Sequence, residues 1–178
     1  MEHMSTQVTD PADYEAATQI VHESDGCVIA VWNDISICIW GRSATLSLIL
    51  ELENVRERIS QQYPRTSSIH VLVNEAGLPD PDARKKLEEI TAKSEARLIG
   101  VATVVSGSGF RVSAIRAFLT SIHWLQRRPY DAHVCGSIGE AATWLAPLHS
   151  AGSVPTDAGA LEQLMLGLRE RPSVGSGS

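Results

Sequence analysis

Serine and histidine side chains are the first candidates for chemistry in this chain, because an imidazole base can activate a serine hydroxyl for attack on an acyl group. The candidates for nucleophile and base are Ser36, Ser106, Ser108, His70, His123 and His133. The chain has no Gly-x-Ser-x-Gly elbow, and no sequence pattern places a base beside a serine. We therefore predict that the protein is not an enzyme.

Metal ligation is the second chemistry that these residue types suggest. The three cysteines, Cys27, Cys38 and Cys135, are odd in number and lie in apolar, strand-like segments. They show none of the close Cys/His spacings that hold zinc, and no histidine pair has helical i, i+4 spacing beside a carboxylate. The sequence predicts buried reduced thiols, no metal and no cofactor.

A Gly/Ser loop is the stretch that most suggests a ligand. It comprises Ser106, Gly107, Ser108 and Gly109, and it precedes a predicted helix in which Arg111 stands near the start. Free amides and hydroxyls at the positive end of a helix can hold an anion. The loop lacks the lysine of a phosphate-binding loop and the full Gly-x-Gly-x-x-Gly spacing. An anion or nucleotide site and a plain flexible turn both remain open.

The same helix is the most basic segment of an acidic chain. Arg116, Arg127 and Arg128 extend its basic character toward the C-terminal end. These residues would present a basic edge to an acidic protein partner. The alternative is a solvated helix face whose bases favour the negative end of the helix.

Composition limits the classes of partner. The chain has 178 residues, 43% of them hydrophobic and 20% charged, with a net charge of −6, which suits one globular domain. An acidic surface repels nucleic acid and anionic membranes. No apolar run approaches the ~20 residues that span a bilayer, and the N-terminus shows no signal pattern. We expect a cytoplasmic protein.

The elements that would position these residues follow from the apolar pattern. Two β-branched runs around Asn33-Asp34 predict a hairpin from Cys27 to Trp40. The later elements are a helix capped by Ser43 and ended by Pro64, a strand at Ile69–Val73, a helix from Asp80, a strand at Leu98–Val105, a helix from Phe110 to Arg127, a strand at Ala132–Cys135 and a helix from Ser137, whose Glu140 completes a capping box. This order predicts an α/β fold with a mixed sheet of about five strands and helices packed against it.

Segments outside this domain are also predicted. We expect a polar N-terminal segment at 1–25, the α/β domain at 26–150, a linker and amphipathic helix at 151–172, and a flexible Gly/Ser tail at 173–178. The apolar stripe of the C-terminal helix consists of Leu161, Leu164, Met165 and Leu168. Two interpretations of this stripe remain: it packs on the domain, or it binds a partner.

The order of elements and the ending Val134-Cys135-Gly136-Ser137-Ile138-Gly139-Glu140-Ala141-Ala142-Thr143-Trp144-Leu145 resemble STAS domains of the SpoIIAA-like fold. That group includes anti-sigma-factor antagonists and small stand-alone bacterial proteins. The likeness covers roughly 26–149. It implies a regulatory, non-catalytic domain that binds another protein or a second copy of itself. The alternative is a small-molecule module, using the Ser106–Gly109 loop or a lipid-sized apolar cleft of the kind found in lipid-transfer relatives.

Phosphorylation is the point at which the chain departs from this resemblance. Phospho-regulated STAS domains carry a serine or threonine at the start of the second helix. The matching stretch here, 74–82, contains Asp80 and Asp82 but no hydroxyl. Asp80 is therefore interpreted as a helix cap, and phosphoserine mimicry by an acid remains the alternative.

Overall fold

Six β-strands form one sheet in a computed structural model that describes residues 18–73, 76–125, 128–150 and 154–175. The strands are β1 (Thr18–Ser24), β2 (Cys27–Trp32), β3 (Ile35–Trp40), β4 (Thr66–Leu72), β5 (Leu98–Val105) and β6 (Asp131–Cys135). They lie side by side in chain order, antiparallel from β1 to β3 and parallel from β3 to β6. This arrangement confirms the mixed α/β fold, with one strand more than expected.

Helices cover both faces of the sheet. They are α1 (Leu46–Gln62), α2 (Pro81–Ser94), α3 (Phe110–Leu125), α4 (Ile138–Leu145), α5 (Ala158–Arg169) and a final turn, α6 (Pro172–Gly175), with a 3-10 turn at Ala146–Ser150. One face packs against α1, α2 and α3, and the other packs against α4 and α5. None of the described helices has the length and apolarity needed to cross a membrane.

The predicted hairpin is confirmed. Val28 of β2 pairs with Ile39 of β3, and Asn33 in the turn adopts a φ of 54°, a left-handed conformation that asparagine tolerates. The strands read as almost continuous apolar runs because helices bury the sheet on both sides.

Local sequence signals place the starts of α2 and α4 correctly. Asp80 Oδ1 accepts a hydrogen bond from the Ala83 amide at 2.8 Å. Ser137 Oγ accepts from the Glu140 amide at 3.1 Å, and Glu140 Oε2 accepts from the Gly136 amide at 2.6 Å. Asp80 and Ser137 each satisfy an amide that the first helical turn leaves without a partner, and Glu140 binds the amide of Gly136, just before the cap residue.

The predicted cap of α1 was wrong. Thr45 is the residue at the cap position, and it makes no side-chain cap bond. Ser43 Oγ instead accepts a hydrogen bond from the Gly77 amide at 3.2 Å. The Ser43 hydroxyl, which the sequence predicts to cap α1, therefore binds the loop before α2 instead.

The N-terminal boundary at residue 26 was also wrong. Thr18–Ser24 forms β1, which pairs antiparallel with β2 at the edge of the sheet. An edge strand is half-solvated, so it needs no continuous apolar run and gives a weak sequence signal.

The start of the predicted flexible tail at residue 173 was wrong, because residues 173–175 belong to the described fold, and residues 176–178 lie outside the described residues. The Gly26 amide donates to the Ser173 carbonyl at 2.7 Å, and Arg171 forms an ion pair with Glu23 at 2.7 Å. Val174 is buried in the core on the α4/α5 side. These contacts fasten the C-terminal turn to β1 and to the turn before β2.

The C-terminal helix α5 packs on the domain. Leu161 and Met165 are fully buried, and Leu164 and Leu168 are almost fully buried. All four lie in the core with α4 and the β3 side chains. We therefore do not retain partner docking for these four residues, because the domain already covers their apolar surface.

Truncation of this stripe is expected to destabilise the fold. Leu161→Ala should lower the free energy of unfolding by about 2–5 kcal/mol, since it leaves a cavity in a closed core. Leu50→Ala is the matched control, because Leu50 is an exposed leucine on α1. We expect it to change the free energy by less than about 0.5 kcal/mol in urea unfolding. Equal effects of the two changes would contradict the placement of α5.

Candidate functional site

A cavity of about 160 Å³ lies between the sheet and helices α1, α2 and α3. Its walls are mainly apolar and include Leu72, Leu87, Val101 and Leu119. Glu88 and Phe118 also line the cavity and are exposed, so the space reaches the surface of the protein beside α2 and α3.

Arg56 of α1 brings a positive charge to the wall of this cavity. Its Nη2 donates to Ser68 Oγ at 3.0 Å, and its Nη1 donates to Thr91 Oγ1 at 3.3 Å. The side chain is largely buried, its Nε is enclosed without a hydrogen-bond partner, and burial lowers its pKa. An arginine nevertheless stays protonated near neutral pH.

No carboxylate in the described part of the chain pairs with Arg56. Glu53, three positions earlier on the same helix, forms ion pairs with Lys86 at 2.8 Å and Lys93 at 2.9 Å. The Arg56 guanidinium thus contacts neutral groups: two hydroxyls, and the His70 ring, whose Nε2 lies 3.4 Å from Nη2. The largely buried Arg56 thus has no ion-pair partner among the described residues, although Glu53 and Glu57 line a second pocket beside it.

The register of the sheet aligns the polar groups beneath Arg56. Ser36 of β3 lies opposite Ser68 of β4, and their hydroxyl oxygens are 2.9 Å apart. His70 follows Ser68 by two positions, so both side chains leave β4 on the α1 side of the sheet. The alternation of Ser68 and His70 at i and i+2 in β4 was the signal that sequence reasoning could have used.

The ring of His70 is held in one tautomer. Trp40 Nε1 donates to His70 Nδ1 at 3.2 Å, and the two rings are stacked with centroids 6.1 Å apart. Because an indole N–H only donates, Nδ1 is the acceptor and Nε2 carries the proton of the neutral ring. His70 Nε2 lies 3.2 Å from Ser68 Oγ and donates to it.

This tautomer removes His70 as a base toward Ser68. Burial, with a smaller contribution from the Arg56 charge, lowers the pKa of His70 to about 3. The ring is therefore neutral, and the nitrogen facing Ser68 already holds a proton. The Ser68–His70 contact orients side chains and offers no proton acceptor to the serine hydroxyl.

Two further guanidinium groups line the cavity. Arg84 lies over the Phe118 ring at 5.8 Å, and its Nε is enclosed without a partner. Arg128 donates to the hydroxyl of Tyr130 and lies 5.5 Å from the centre of that ring. Glu88 is the one acidic residue among the described lining residues, so positive charge dominates the cavity.

The Ser106–Gly109 loop lies apart from this cavity. All four residues are exposed, and Gly107 and Gly109 adopt φ values of 100° and 108°. They join β5 to α3, and neither serine lines the cavity. The Arg111 side chain lies beside Gly77. A Cβ atom built on Gly77 would be 3.6 Å from Arg111 Nη2. The structure adds no group to the anion site predicted from this loop.

Two arginines of the predicted basic edge of α3 have intramolecular hydrogen-bond partners in the described part of the chain. Arg116 Nε donates to the Val105 carbonyl at 2.9 Å, which closes the loop before α3. Arg128 is engaged with Tyr130, and Arg127 lies outside the described residues. Intramolecular partners therefore take two of the three guanidinium groups.

The aspartates of the phosphosite-equivalent stretch have local roles at α2. Asp80 caps the helix, as the capping interpretation predicted. Asp82 is exposed in the first turn, where a negative charge favours the helix end.

A second polar network, which the sequence analysis missed, has the order of a hydrolase triad. Ser67 Oγ lies 2.8 Å from His149 Nε2, and His149 Nδ1 lies 3.4 Å from Asp34 Oδ1. Asp34 Oδ2 also accepts from the Val154 amide at 3.1 Å. The three side chains are at most 1% exposed, and the 3.4 Å contact between His149 Nδ1 and Asp34 Oδ1 is not a hydrogen bond. The network instead joins the hairpin turn, β4 and the 3-10 turn.

The three cysteines are free and buried, as predicted. Burial raises the pKa of Cys27 to about 12, so this thiol stays protonated and unreactive at neutral pH. Cys135 lies near His133 and Glu140, which the spacing of the sequence did not reveal.

Comparison with known proteins leaves the family open. No protein-family model, curated protein or solved structure matches this chain. The resemblance to STAS domains therefore stays a prediction.

Acidification is expected to destabilise the protein through His70. The pKa of this group is about 3 in the folded state, against an ordinary value of 6.5. Between these pH values the unfolded chain binds a proton that the folded chain does not. The free energy of unfolding should therefore fall as pH drops through this window, by up to about 1.4 kcal/mol per pH unit.

The variant His70→Asn isolates this contribution, because asparagine does not titrate and keeps an acceptor for the Trp40 N–H. Urea unfolding between about pH 5 and pH 8 should show that wild type loses more stability than the variant as pH falls. Parallel pH profiles for the two proteins would contradict the protonation state assigned to His70.

Proposed function

We propose that this domain is a binding module for a small amphipathic carboxylate, held between the sheet and helices α1, α2 and α3. The carboxylate lies against Arg56, and the apolar part of the ligand fills the cavity. The single observation that carries this proposal is the largely buried Arg56, which has no carboxylate partner among the described residues.

Electrostatics supports an anionic ligand. A buried charge without a counter-charge costs several kcal/mol, and hydrogen bonds to neutral hydroxyls offset only part of that cost. Ser68 and Thr91 provide such hydroxyls, while Arg84 and Arg128 add positive charge to the same cavity. A carboxylate would neutralise Arg56 and would accept its hydrogen bonds with charge assistance.

The size of the cavity supports a small ligand. Its volume is about 160 Å³. An apolar cavity of ~150 Å³ holds benzene, so the space suits a single ring or a short branched chain. Leu87, Val101 and Phe118 offer the apolar contacts that such a group requires.

Binding without chemistry is part of the proposal. The histidine in the cavity presents a protonated nitrogen to the neighbouring serine, so no activated nucleophile faces the ligand. This arrangement favours a sensor or carrier over a hydrolase.

A regulatory interaction domain of the STAS type is the second candidate. Phe110 at the start of α3 is 91% exposed, and Phe118 on the same helix is also exposed. Large apolar side chains in water are typical of sites that a protein partner covers. This proposal includes the cytoplasmic location and the bacterial, regulatory role that the resemblance implies.

Calorimetric titration with benzoate, benzyl alcohol and benzylamine tests the carboxylate proposal. The three probes share a ring and differ in charge, so only benzoate should bind with measurable affinity. Arg56→Gln should weaken benzoate binding by about tenfold or more, as expected for loss of a charged hydrogen bond.

Arg58→Gln is the matched control, since Arg58 is exposed on the same helix and does not line the cavity. It should leave benzoate affinity unchanged. Equal binding of benzoate and benzyl alcohol, or equal affinities of the two variants, would overturn the proposal.

A further inference from the structure

The end of β6 and the first turn of α4 bring three different metal-binding side chains together. His133 and Cys135 are two positions apart on one strand, so they project from the same face of the sheet. Glu140 joins them from α4, and one ligand atom from each residue lies within 4.8 Å of the other two. We propose that His133, Cys135 and Glu140 bind a divalent transition-metal ion, with zinc the preferred ion and solvent the fourth ligand.

The donor set identifies the class of ion. An imidazole nitrogen, a thiolate sulfur and a carboxylate oxygen together suit zinc, whereas magnesium and calcium prefer oxygen ligands alone. Bonds of ~2.0–2.3 Å place the ligand atoms of a tetrahedral zinc site roughly 3.3–3.8 Å apart. His133 Nε2 and Glu140 Oε1 are already 3.4 Å apart, and the Cys135 sulfur lies within 4.8 Å of the other two ligand atoms, so closure requires a shift of at most about 1.5 Å at Cys135.

The surrounding contacts orient two of the ligands. The His133 ring stacks on Trp144, with centroids 5.3 Å apart and planes at 21°. Glu140 Oε2 accepts from the Gly136 amide at 2.6 Å, which leaves Oε1 directed to His133. Contacts of this kind, outside the ligand set, hold metal ligands in position and raise affinity.

Exposure is graded across the cluster. Cys135 is fully buried, while the His133 and Glu140 side chains are 42% and 48% exposed. An ion can therefore enter from solvent and reach the sulfur last. The same open side admits the solvent ligand, as in zinc sites with three protein ligands.

The negative charges of the bound ligands favour a cation at this site. Zinc displaces the Cys135 thiol proton, which passes to solvent, and the resulting thiolate and the Glu140 carboxylate together carry two negative charges. Arg116 brings a positive charge close to the site. Its Nη2 lies beside Gly136, since a Cβ atom built on Gly136 would be 3.6 Å from it. Its guanidinium donates to the Val105 and Gly107 carbonyls, and its single charge does not cancel the two ligand charges.

This site is independent of the carboxylate cavity. Cys135 belongs to the core cluster on the α4 and α5 side of the sheet. The cavity lies on the opposite side, between the sheet and α1, α2 and α3. Failure of one proposal therefore leaves the other unaffected.

Zinc titration of the chelator-treated full chain, monitored by calorimetry, tests the proposal. We expect one zinc ion per chain, and cobalt as a substitute should give the absorption band of a thiolate–cobalt bond. Cys135→Ser should abolish that band and weaken zinc binding at least tenfold. Cys27→Ser is the matched control, because Cys27 is a buried cysteine on the other side of the sheet.

His133→Gln is the second variant, and it keeps the test decisive if Cys135→Ser fails to fold. The partly exposed His133 side chain can change without opening the core. It should also weaken zinc binding at least tenfold, while His22→Gln on β1 should have no effect. Absence of the thiolate–cobalt band in wild type, or unchanged zinc affinity in His133→Gln, would overturn the proposal.

Discussion

The buried guanidinium of Arg56 is the constraint on which one side of this fold depends. A charge taken out of water must be surrounded by protein dipoles, and three elements contribute them: α1 carries the arginine, β4 supplies Ser68, and α2 supplies Thr91. This charge explains why polar side chains lie in the middle of an apolar sheet. They fix where α1 and α2 lie over the sheet, and so they fix the cavity that those helices enclose with α3.

The two faces of the sheet pack against their helices in different ways. On the α4 and α5 face, aliphatic side chains from β2, β3, β4 and β5 meet the apolar stripes of the helices in one core. That core resembles an ordinary protein interior, in which close packing leaves little free space. On the α1 face, a second apolar cluster joins β2 and β3 to α1 and α2. The cavity lies beside this cluster, and Arg56, Arg84 and Arg128 line it.

Local chemistry explains which parts of the structure the sequence could predict. The hairpin at Asn33, the Asp80 cap and the Ser137–Glu140 capping box are decided by residues within four positions of one another. Propensity and capping rules act over that range, so these features were predictable. The edge strand β1 was not, because its stability comes from pairing with β2 more than from its own pattern.

The candidate sites lie beyond that range. Arg56 and His70 are 14 positions apart, and Ser67 and His149 are 82 positions apart. Only the packing of α1 and of the 3-10 turn against β4 brings such groups together, and spacing in one sequence carries no information about it. His133 and Cys135 show the intermediate case: their alternation was visible, but Glu140 becomes a neighbour only because α4 turns back over β6.

The contact between Glu23 and Arg171 has a consequence for how the chain acquires its structure. The two residues are 148 positions apart, and with the Gly26–Ser173 hydrogen bond they join the first hairpin to the last helical turn. During synthesis β1 emerges before Arg171 and Ser173, so its contacts are complete only once those residues have been made. Bringing such distant segments together carries a loop-closure cost, which slows folding. The domain is thus expected to reach its native state only after translation has delivered its C-terminal turn, as a single late event.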